Sequence, residues 1–591
     1  MTTNDRRGTV VAWGLLVLLV ANVPLFLCMP LTDDAAMFDL QARNLLGGGV
    51  LYRDIVEPNL PGVIWIQAAV RATLGESSLA LRALDLLLFT AWAVTSRHWL
   101  AVSGATRAAQ TWLVLVLFVC YFSFSEWCHC QRDVWLLTVG LAALTLRRRQ
   151  AERLRSWAES GQREATGSEP EQPGPAEARV GLVFVGWALL EGLCWGVGVW
   201  LKPMIVVPAA CCWMLSVLYV RQWRRTLVDL AGLVSGGLLA GGLGVAWLVW
   251  SGAWPHFLAT LIDWNPAYVA AGREQWTLAR YVAMQVRFFP WQLLHLAAIP
   301  LALTALVRGA RRWGKREGVE ESRRTGADPS DSSTFPLFHS FTSALLSVFY
   351  LAWLVQSYLL QHLFDYVHAP ALLLAIVVVG VAVAGRSGKS ERRAKPGRVL
   401  RRFAVGGFAV LVVLTTPVLS FPRLAWWPAC MAHGSTAPVR DRLKTFSVPS
   451  WQDLDRVAEF LRGQGIRDGE LTCYNSSLVH LYGMMGVEPS TRYVYLEQVV
   501  AYFPDRQDEF LRALSDSRQR YVVTDLIASG LSPTSIARLC DEGLLEKPPR
   551  FPSRLRDVFP WSQPAVFRAG PYLVHQVERR LGRLEGPRRA T

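Results

Sequence analysis

The chain has 591 residues, of which 52% are hydrophobic, with a mean hydropathy of +0.24 and a formal net charge of +15. Its apolar residues fall in runs of about 17 to 25, the length that an α-helix needs to cross the hydrocarbon core of a bilayer. This pattern excludes an ordinary soluble globular protein and predicts an α-helical multi-pass membrane protein.

Eleven spans are predicted from these runs, and the positive charge lies in the loops between them. Basic clusters follow every second span, so that all of them fall on the side of the membrane where the chain begins. The positive-inside rule makes that side cytoplasmic. We therefore expect a protein integral to the plasma (inner) membrane with a cytoplasmic N-terminus, contacts to membrane lipids and no nucleic-acid partner. The spans cover about residues 10–29, 79–97, 107–124, 131–146, 181–200, 203–220, 227–250, 287–307, 336–360, 366–385 and 403–421.

The first external connection, residues 30–78, contains two amphipathic segments at 34–46 and 61–75. Apolar residues recur in them at helical spacing with charged residues between, which predicts two helices that lie in the membrane interface.

Two adjacent carboxylates, Asp33 and Asp34, stand where the first span ends. Asp34 and Phe38 are four residues apart and share one helical face, whereas Asp33 points elsewhere and is the weaker candidate for chemistry. Arg53 and Glu57 follow in a proline-bracketed loop. The alternative is that all of these are ordinary polar residues of a membrane-surface loop.

A second polar cluster, at 125–137, contains Arg132 and Asp133 beside an apolar run. Ionisable residues at span ends are costly unless they are paired or face a wet cavity, so they are candidates for function. An Arg132–Asp133 salt-bridged anchor is the alternative. The Cys128-His129-Cys130 triplet lacks the spacing of a zinc site.

Two further clusters fall on the same external face. Lys202 lies between two apolar runs, where a lysine is either a snorkelling residue or, against the inside-positive bias, a functional one. The connection between the ninth and tenth spans carries His362, Tyr366 and His368, which are either belt residues or hydrogen-bonding groups of a site. The convergence of all four clusters on one face predicts an external cavity rimmed by carboxylates, a lysine and His/Tyr donors.

Residues 422–591 form a tail long enough for a domain of its own, and we divide the chain into 1–421 and 422–591. Span parity places the tail outside the cytoplasm. A capping-box-like start at Ser450 and the alternation of strand and helix patterns predict a small α/β domain with a binding or scaffolding role. The predicted helices are 454–465, 477–485 and 504–517, and the strands are 471–474, 492–496 and 520–525.

The first external loop resembles that of the GT-C glycosyltransferases, nearest to the branch of protein O-mannosyltransferases, lipid A aminoarabinose transferase and RgtA/B/C/D-like sugar transferases. The resemblance is good over about residues 10–150, looser to about 421, and does not reach the tail. Phe38 stands where the family usually has Tyr. The matching features are Asp34, Phe38, the turn at Gly47–Gly49, Tyr52-Arg53-Asp54, Pro58, Pro61 and Arg82.

The resemblance implies an inverting transfer of a sugar from a polyprenyl-phosphate donor to a hydroxyl of a lipid, glycan or protein acceptor on the external face. It implies Asp34 as general base and Asp133 as a second catalytic carboxylate. Some family members need a divalent cation and others do not, so the metal site stays open. The remaining candidates would bind substrate or its phosphate, namely Asp33, Arg53, Glu57, Arg132, Lys202, His362, Tyr366 and His368.

Two other functions stay open from the residues alone. A transporter of lipid-linked sugars would need polar residues deep within several spans or paired broken helices, and the charges here cluster at one face instead. A non-catalytic membrane anchor for the tail would give Asp34 no special role.

Overall fold

A computed structural model describes residues 3–164, 175–274, 276–324, 335–387, 398–445, 449–532, 534–535 and 563–578. Its helices, in chain order, are α1 Thr3–Cys28, α2 Asp33–Leu46, α3 Gly62–Leu74, α4 Ser78–Val102, α5 Arg107–Ser123, α6 Arg132–Glu164, α7 Pro175–Leu201, α8 Val206–Val220, α9 Trp223–Trp250, α10 Trp254–Ala259, α11 Asn265–Glu274, α12 Leu278–Arg287, α13 Leu294–Arg324, α14 Phe335–Leu359, α15 Asp365–Ser387, α16 Arg398–Thr415, α17 Phe421–Leu424, α18 Trp427–His433, α19 Ala437–Leu443, α20 Trp451–Gly463, α21 His480–Met485, α22 Leu496–Tyr502 and α23 Gln507–Asp516. The strands are β1 Leu471–Cys473, β2 Tyr521–Asp525, β3 Ala565–Ala569 and β4 Tyr572–Gln576.

The helical multi-pass architecture predicted from hydropathy is confirmed. Within the described ranges, eight helices are long and apolar enough to cross a membrane, lying in α1, α4, α7, α8 with its preceding 3₁₀ turn, α9, α13, α14 and α15. The other three predicted spans coincide with α5, α6 and α16, of which α5 and the apolar part of α16 are shorter. The two amphipathic segments of the first connection form α2 and α3.

The chain divides into two compact units. The first, here called the membrane unit, comprises residues 1–29, 59–251 and 272–435. The second, here called the sheet unit, comprises residues 30–58, 252–271 and 436–591. The domain boundary predicted between residues 421 and 422 stays a prediction.

In the membrane unit, α7 and α9 pack closely through glycines. A Cβ atom on Gly192 of α7 would collide with the carbonyl of Leu233, and one on Gly236 of α9 would collide with the carbonyl of Leu189. Without a hydrophobic force between helices in lipid, small residues at four-residue spacing allow the backbones to approach and gain packing contacts. Gly192 and Gly196 on α7, and Gly232 and Gly236 on α9, have this spacing.

A buried ion triad joins three helices of the membrane unit. Arg147 of α6, predicted to belong to a cytoplasmic loop, instead lies inside the helix and is fully buried. Its Nε donates to Glu191 Oε1 of α7 at 2.8 Å, and its Nη1 donates to Asp229 Oδ2 of α9 at 2.6 Å. Trp195 Nε1 also donates to Glu191 at 2.9 Å. The two buried carboxylates therefore share one guanidinium as their counter-charge.

The sheet unit contains a four-stranded mixed sheet in the order β1-β2-β4-β3. β1 and β2 are parallel, and β4 is antiparallel to both β2 and β3. The chain crosses from β1 to β2 through α21, α22 and α23, as a parallel connection requires. The predicted α/β tail is thus confirmed, with β1 and β2 where strands were expected.

Two details of the tail differ from the prediction. The expected strand 492–496 is irregular and leads into α22. The carbonyl of Arg492 accepts a hydrogen bond from Val56 N at 2.9 Å, in place of a bond to a neighbouring strand. The β3–β4 hairpin was not predicted, and its tight turn at Gly570, where φ is +53°, is the kind of position that glycine favours.

Residues 30–58 of the first external connection belong to the sheet unit and contribute to its core. Met37 and Leu40 of α2, together with Ile55, are buried in the same apolar cluster as Trp451 and Leu454 of α20. The α2 segment is therefore amphipathic because one of its faces packs inside a folded domain.

We predict that Arg147→Met lowers the stability of the chain strongly, by about 3–5 kcal/mol, because Glu191 and Asp229 would be left buried without a counter-charge. Thermal unfolding of the purified chain in detergent measures the change. Arg149→Met, at an exposed position of the same helix, is the matched control and should change stability little. Equal shifts for the two variants would show that the triad contributes no special stabilisation.

Candidate active site

The centre of the candidate site in the membrane unit is an ion pair. Lys202 Nζ donates to Asp133 Oδ1 at 2.5 Å. Both side chains are largely buried, with 11% and 2% of their surfaces exposed. Both residues were proposed from the sequence, with Arg132 as the alternative partner of Asp133, and the structure pairs Asp133 with Lys202, which lies between the α7 span and the next one. Asp133 Oδ2 is buried and has no hydrogen-bond partner within the described part of the chain.

Three cations surround His362, which lies between the spans of α14 and α15. Burial first, and then the positive charges of Lys202, Arg280 and Arg132, lower the pKa of His362 to about 4. The imidazole is therefore neutral at physiological pH and adds no charge of its own. This part of the membrane unit concentrates positive charge on fixed side chains, which suits a phosphate group.

Two arginines of α12, Arg280 and Arg287, hold the turn before α15. Arg287 Nη1 lies 2.8 Å from both carboxylate oxygens of Asp365, the first residue of α15. Arg280 Nε also donates to Leu363 O at 3.4 Å. These contacts fix the backbone that carries His362 and Tyr366.

Tyr366 and His368 lie on the first turn of α15. Lys202 Nζ is 5.9 Å from the centre of the Tyr366 ring, a cation–π distance that orients the ammonium group. The His368 ring packs against Tyr358 with centroids 4.4 Å apart. Neither of its nitrogens has a hydrogen-bond partner among the described residues. The predicted group Arg132, Asp133, Lys202, His362 and Tyr366 is thus brought together in the membrane unit.

The predicted base Asp34 lies in the first turn of α2, in the sheet unit. Thr32 caps this helix, with its Oγ1 accepting from Ala35 N at 3.1 Å. Asp34 is half-buried, whereas Asp33 is buried. Asp33 Oδ1 lies 3.3 Å from His480 Nε2 at the start of α21. The two adjacent carboxylates therefore have different surroundings, as the helical geometry predicted.

The other two loop residues have local partners. Arg53 is exposed and donates to Asp54 through Nε and Nη2, at 2.6 and 2.9 Å. Glu57 is buried and accepts from Gln41 Nε2 of α2 at 3.1 Å. Both contacts shape the first loop, and a role in binding substrate stays a prediction for each.

Three residues of these surroundings were not proposed from the sequence. Arg280 lies in a predicted external connection and Arg287 at the external start of the predicted span 287–307, and the same departure from the inside-positive bias that singled out Lys202 would have indicated them. His480 offered no comparable signal, because it sits in a short apolar helix. Among the residues that the structure describes, no three His, Cys, Asp or Glu side chains group in a way that could hold a metal ion.

No protein-family model and no curated protein matches this chain. Solved structures do. One is ArnT from Cupriavidus metallidurans bound to undecaprenyl phosphate, with a TM-score of 0.45 and 14% identity over 95% of this chain and 97% of that one. Another is the archaeal oligosaccharyltransferase AglB from Archaeoglobus fulgidus in complex with an inhibitory peptide and a dolichol-phosphate, with a TM-score of 0.40 and 10% identity over 87% of this chain and 69% of that one.

Proposed function

We propose that this protein is a membrane glycosyltransferase. It moves a sugar from a polyprenyl-phosphate donor to a hydroxyl of a lipid, glycan or protein acceptor on the extracytoplasmic face, with inversion. The observation that carries the proposal is the buried Lys202, held 2.5 Å from Asp133, whose positive charge acts on His362 together with those of Arg132 and Arg280. Fixed cations at the ends of apolar spans match a ligand that joins a phosphate to a membrane-embedded chain.

The reaction needs one base and one stabilised leaving group. The acceptor oxygen attacks the anomeric carbon, and the bond from that carbon to the donor phosphate oxygen breaks. Asp34 takes the acceptor's proton, and the electron pair of the broken bond leaves with the polyprenyl phosphate. Lys202 and Arg132 stabilise the charge that grows on the departing phosphate. A glycosyl phosphate is a good leaving group, so no separate acid is required.

Asp133 holds Lys202 in place for this task. A lysine on a flexible stem is oriented by its 2.5 Å contact with the buried carboxylate. The free oxygen of Asp133 is available for a donor hydroxyl, which gives this carboxylate the second role that the resemblance implied. His362, Tyr366 and His368 would contact the sugar or the phosphate.

The two alternatives predict different behaviour. A transporter would move lipid-linked sugar without consuming it, and an anchor would do neither. Release of polyprenyl phosphate that depends on an acceptor separates the transferase from both.

We predict that Asp34→Asn lowers kcat by about 10²–10⁴-fold with little change in donor KM, because the amide cannot accept the acceptor's proton. The measurement is release of polyprenyl phosphate from a panel of synthetic polyprenyl-phosphate hexoses and pentoses, with membranes of the source cells as acceptor. Asp39→Asn, on the same helix and also half-buried, is the matched control and should keep most of its activity. Full activity of a folded Asp34→Asn variant would refute the assignment of the base.

We predict that the sheet unit lies outside the cytoplasm. Asp505 is an exposed residue of that unit, and a cysteine placed there by Asp505→Cys should react with a membrane-impermeant maleimide on intact cells. Arg149→Cys, at an exposed position predicted to be cytoplasmic, should react only after permeabilisation. The reverse pattern would overturn the topology.

A further inference from the structure

The helix that carries Asp34 is held along its whole length by the sheet unit. At its start, Asp33 faces His480 of α21 at 3.3 Å. In its middle, Met37 and Leu40 are buried in the core of the unit. Near its end, Asn44 Nδ2 donates to Glu488 Oε2 at 3.3 Å. The candidate catalytic helix is thus a component of the domain formed by the C-terminal tail.

The middle and the start of α2 are held by different forces. The apolar contacts of Met37 and Leu40 fix the position of the helix, and they do not involve the carboxylates. The contact with His480 is polar and acts on the residue directly before Asp34. A change at His480 therefore acts directly on the first turn of α2, and it reaches the core only through the contact of the His480 ring with Trp451.

His480 is itself tightly placed. It is buried, and its ring packs against Trp451 with centroids 4.6 Å apart. Its Nε2 lies close to the Asp33 carboxylate but is not aligned for a hydrogen bond. The contact between the two groups is thus close and polar, and the packing of the ring against Trp451 holds it in place.

The surroundings of Asp33 also contain a second carboxylate. Asp525 at the end of β2 is fully buried, and burial raises its pKa. Ser477 Oγ and two backbone N–H groups, of Ile527 and Ala528, donate to it. Asp525 is thus satisfied by its own donors, and Asp33 makes its 3.3 Å side-chain contact with His480.

We propose that His480 is a positioning residue for Asp34, acting through Asp33. This inference rests on the proposed function. By holding Asp33 against α21, His480 fixes the rotation of the first turn of α2 and with it the direction in which the Asp34 carboxylate points. The sheet unit therefore orients the base in addition to any part it has in binding an acceptor.

The test compares four variants of the full chain in the polyprenyl-phosphate release assay. His480→Ala and Asp33→Asn should each lower kcat about 10- to 100-fold, since small misplacement of a reacting group has effects of this size, while the donor KM stays within about twofold. His480→Gln should recover most of the loss, because its amide keeps a polar group next to Asp33. His575→Ala is the matched control, since His575 is a buried histidine of β4 in the same unit, and it should leave kcat near that of the unchanged chain.

Amide hydrogen exchange of the same variants separates orientation from unfolding. For His480→Ala we expect faster exchange in the first turns of α2 and unchanged exchange in β1 and β2. If His480→Ala does not fold, Asp33→Asn and His480→Gln carry the comparison.

The outcomes distinguish this inference from the proposed function. Full activity of Asp34→Asn refutes the base itself, and the positioning role falls with it. An inactive Asp34→Asn together with unchanged kcat in His480→Ala and Asp33→Asn refutes the positioning role alone. A loss in His480→Ala that His480→Gln does not recover, or one that His575→Ala reproduces, also refutes it, because the effect would then reflect general damage to the domain.

Discussion

A buried ion pair between Lys202 and Asp133 is the interaction on which the membrane unit's candidate site depends. Removing a lysine and a carboxylate from water costs several kcal/mol for each ion, and mutual attraction offsets this cost only when the geometry is good and the remaining hydrogen-bonding atoms are satisfied. Here one carboxylate oxygen has no partner within the described residues. A pair of this kind is poor as a stabilising device and well suited to present an ammonium group to an anionic ligand.

The two ionic groups discussed for the membrane unit differ in how their charges are combined. The triad of Arg147, Glu191 and Asp229 places one cation between two anions and links α6, α7 and α9. Around His362, by contrast, Lys202, Arg132 and Arg280 act together as cations. Opposite charges in direct contact join helices, and a group of like charges attracts a ligand of the other sign. This contrast separates a structural cluster from a candidate binding site.

Much of the architecture could be predicted because the bilayer imposes a length on every span. The same charge bias that set the topology also marked Lys202 as an exception. The secondary structure of the C-terminal tail was harder to predict. The run of residues 492–496 has the composition of a strand, yet Arg492 bonds the first external loop through both its carbonyl and its guanidinium, which donates to Tyr52 O at 3.1 Å. Tertiary contacts overrode the local preference for a strand.

The partner of Asp33 could not be predicted for a related reason. His480 is distant in sequence and lies in a helix with no local sign of function, so only folding brings the two together. The same holds for α2, whose amphipathic pattern indicated a helix in the membrane interface. The pattern cannot distinguish burial against lipid from burial against Leu454 and Trp451 of the sheet unit.

The claim that the cations of the membrane unit recognise a polyprenyl phosphate is tested most directly by binding. Undecaprenyl phosphate is titrated onto the purified chain and onto Lys202→Gln, whose amide can still donate to Asp133. A hydrogen bond to a charged group contributes about 1.5–3 kcal/mol, so the affinity should fall about 10- to 150-fold. Lys444→Gln, which removes a lysine paired with Asp441, should bind as the unchanged chain does. Equal affinity of a folded Lys202→Gln variant and the unchanged chain would contradict the account.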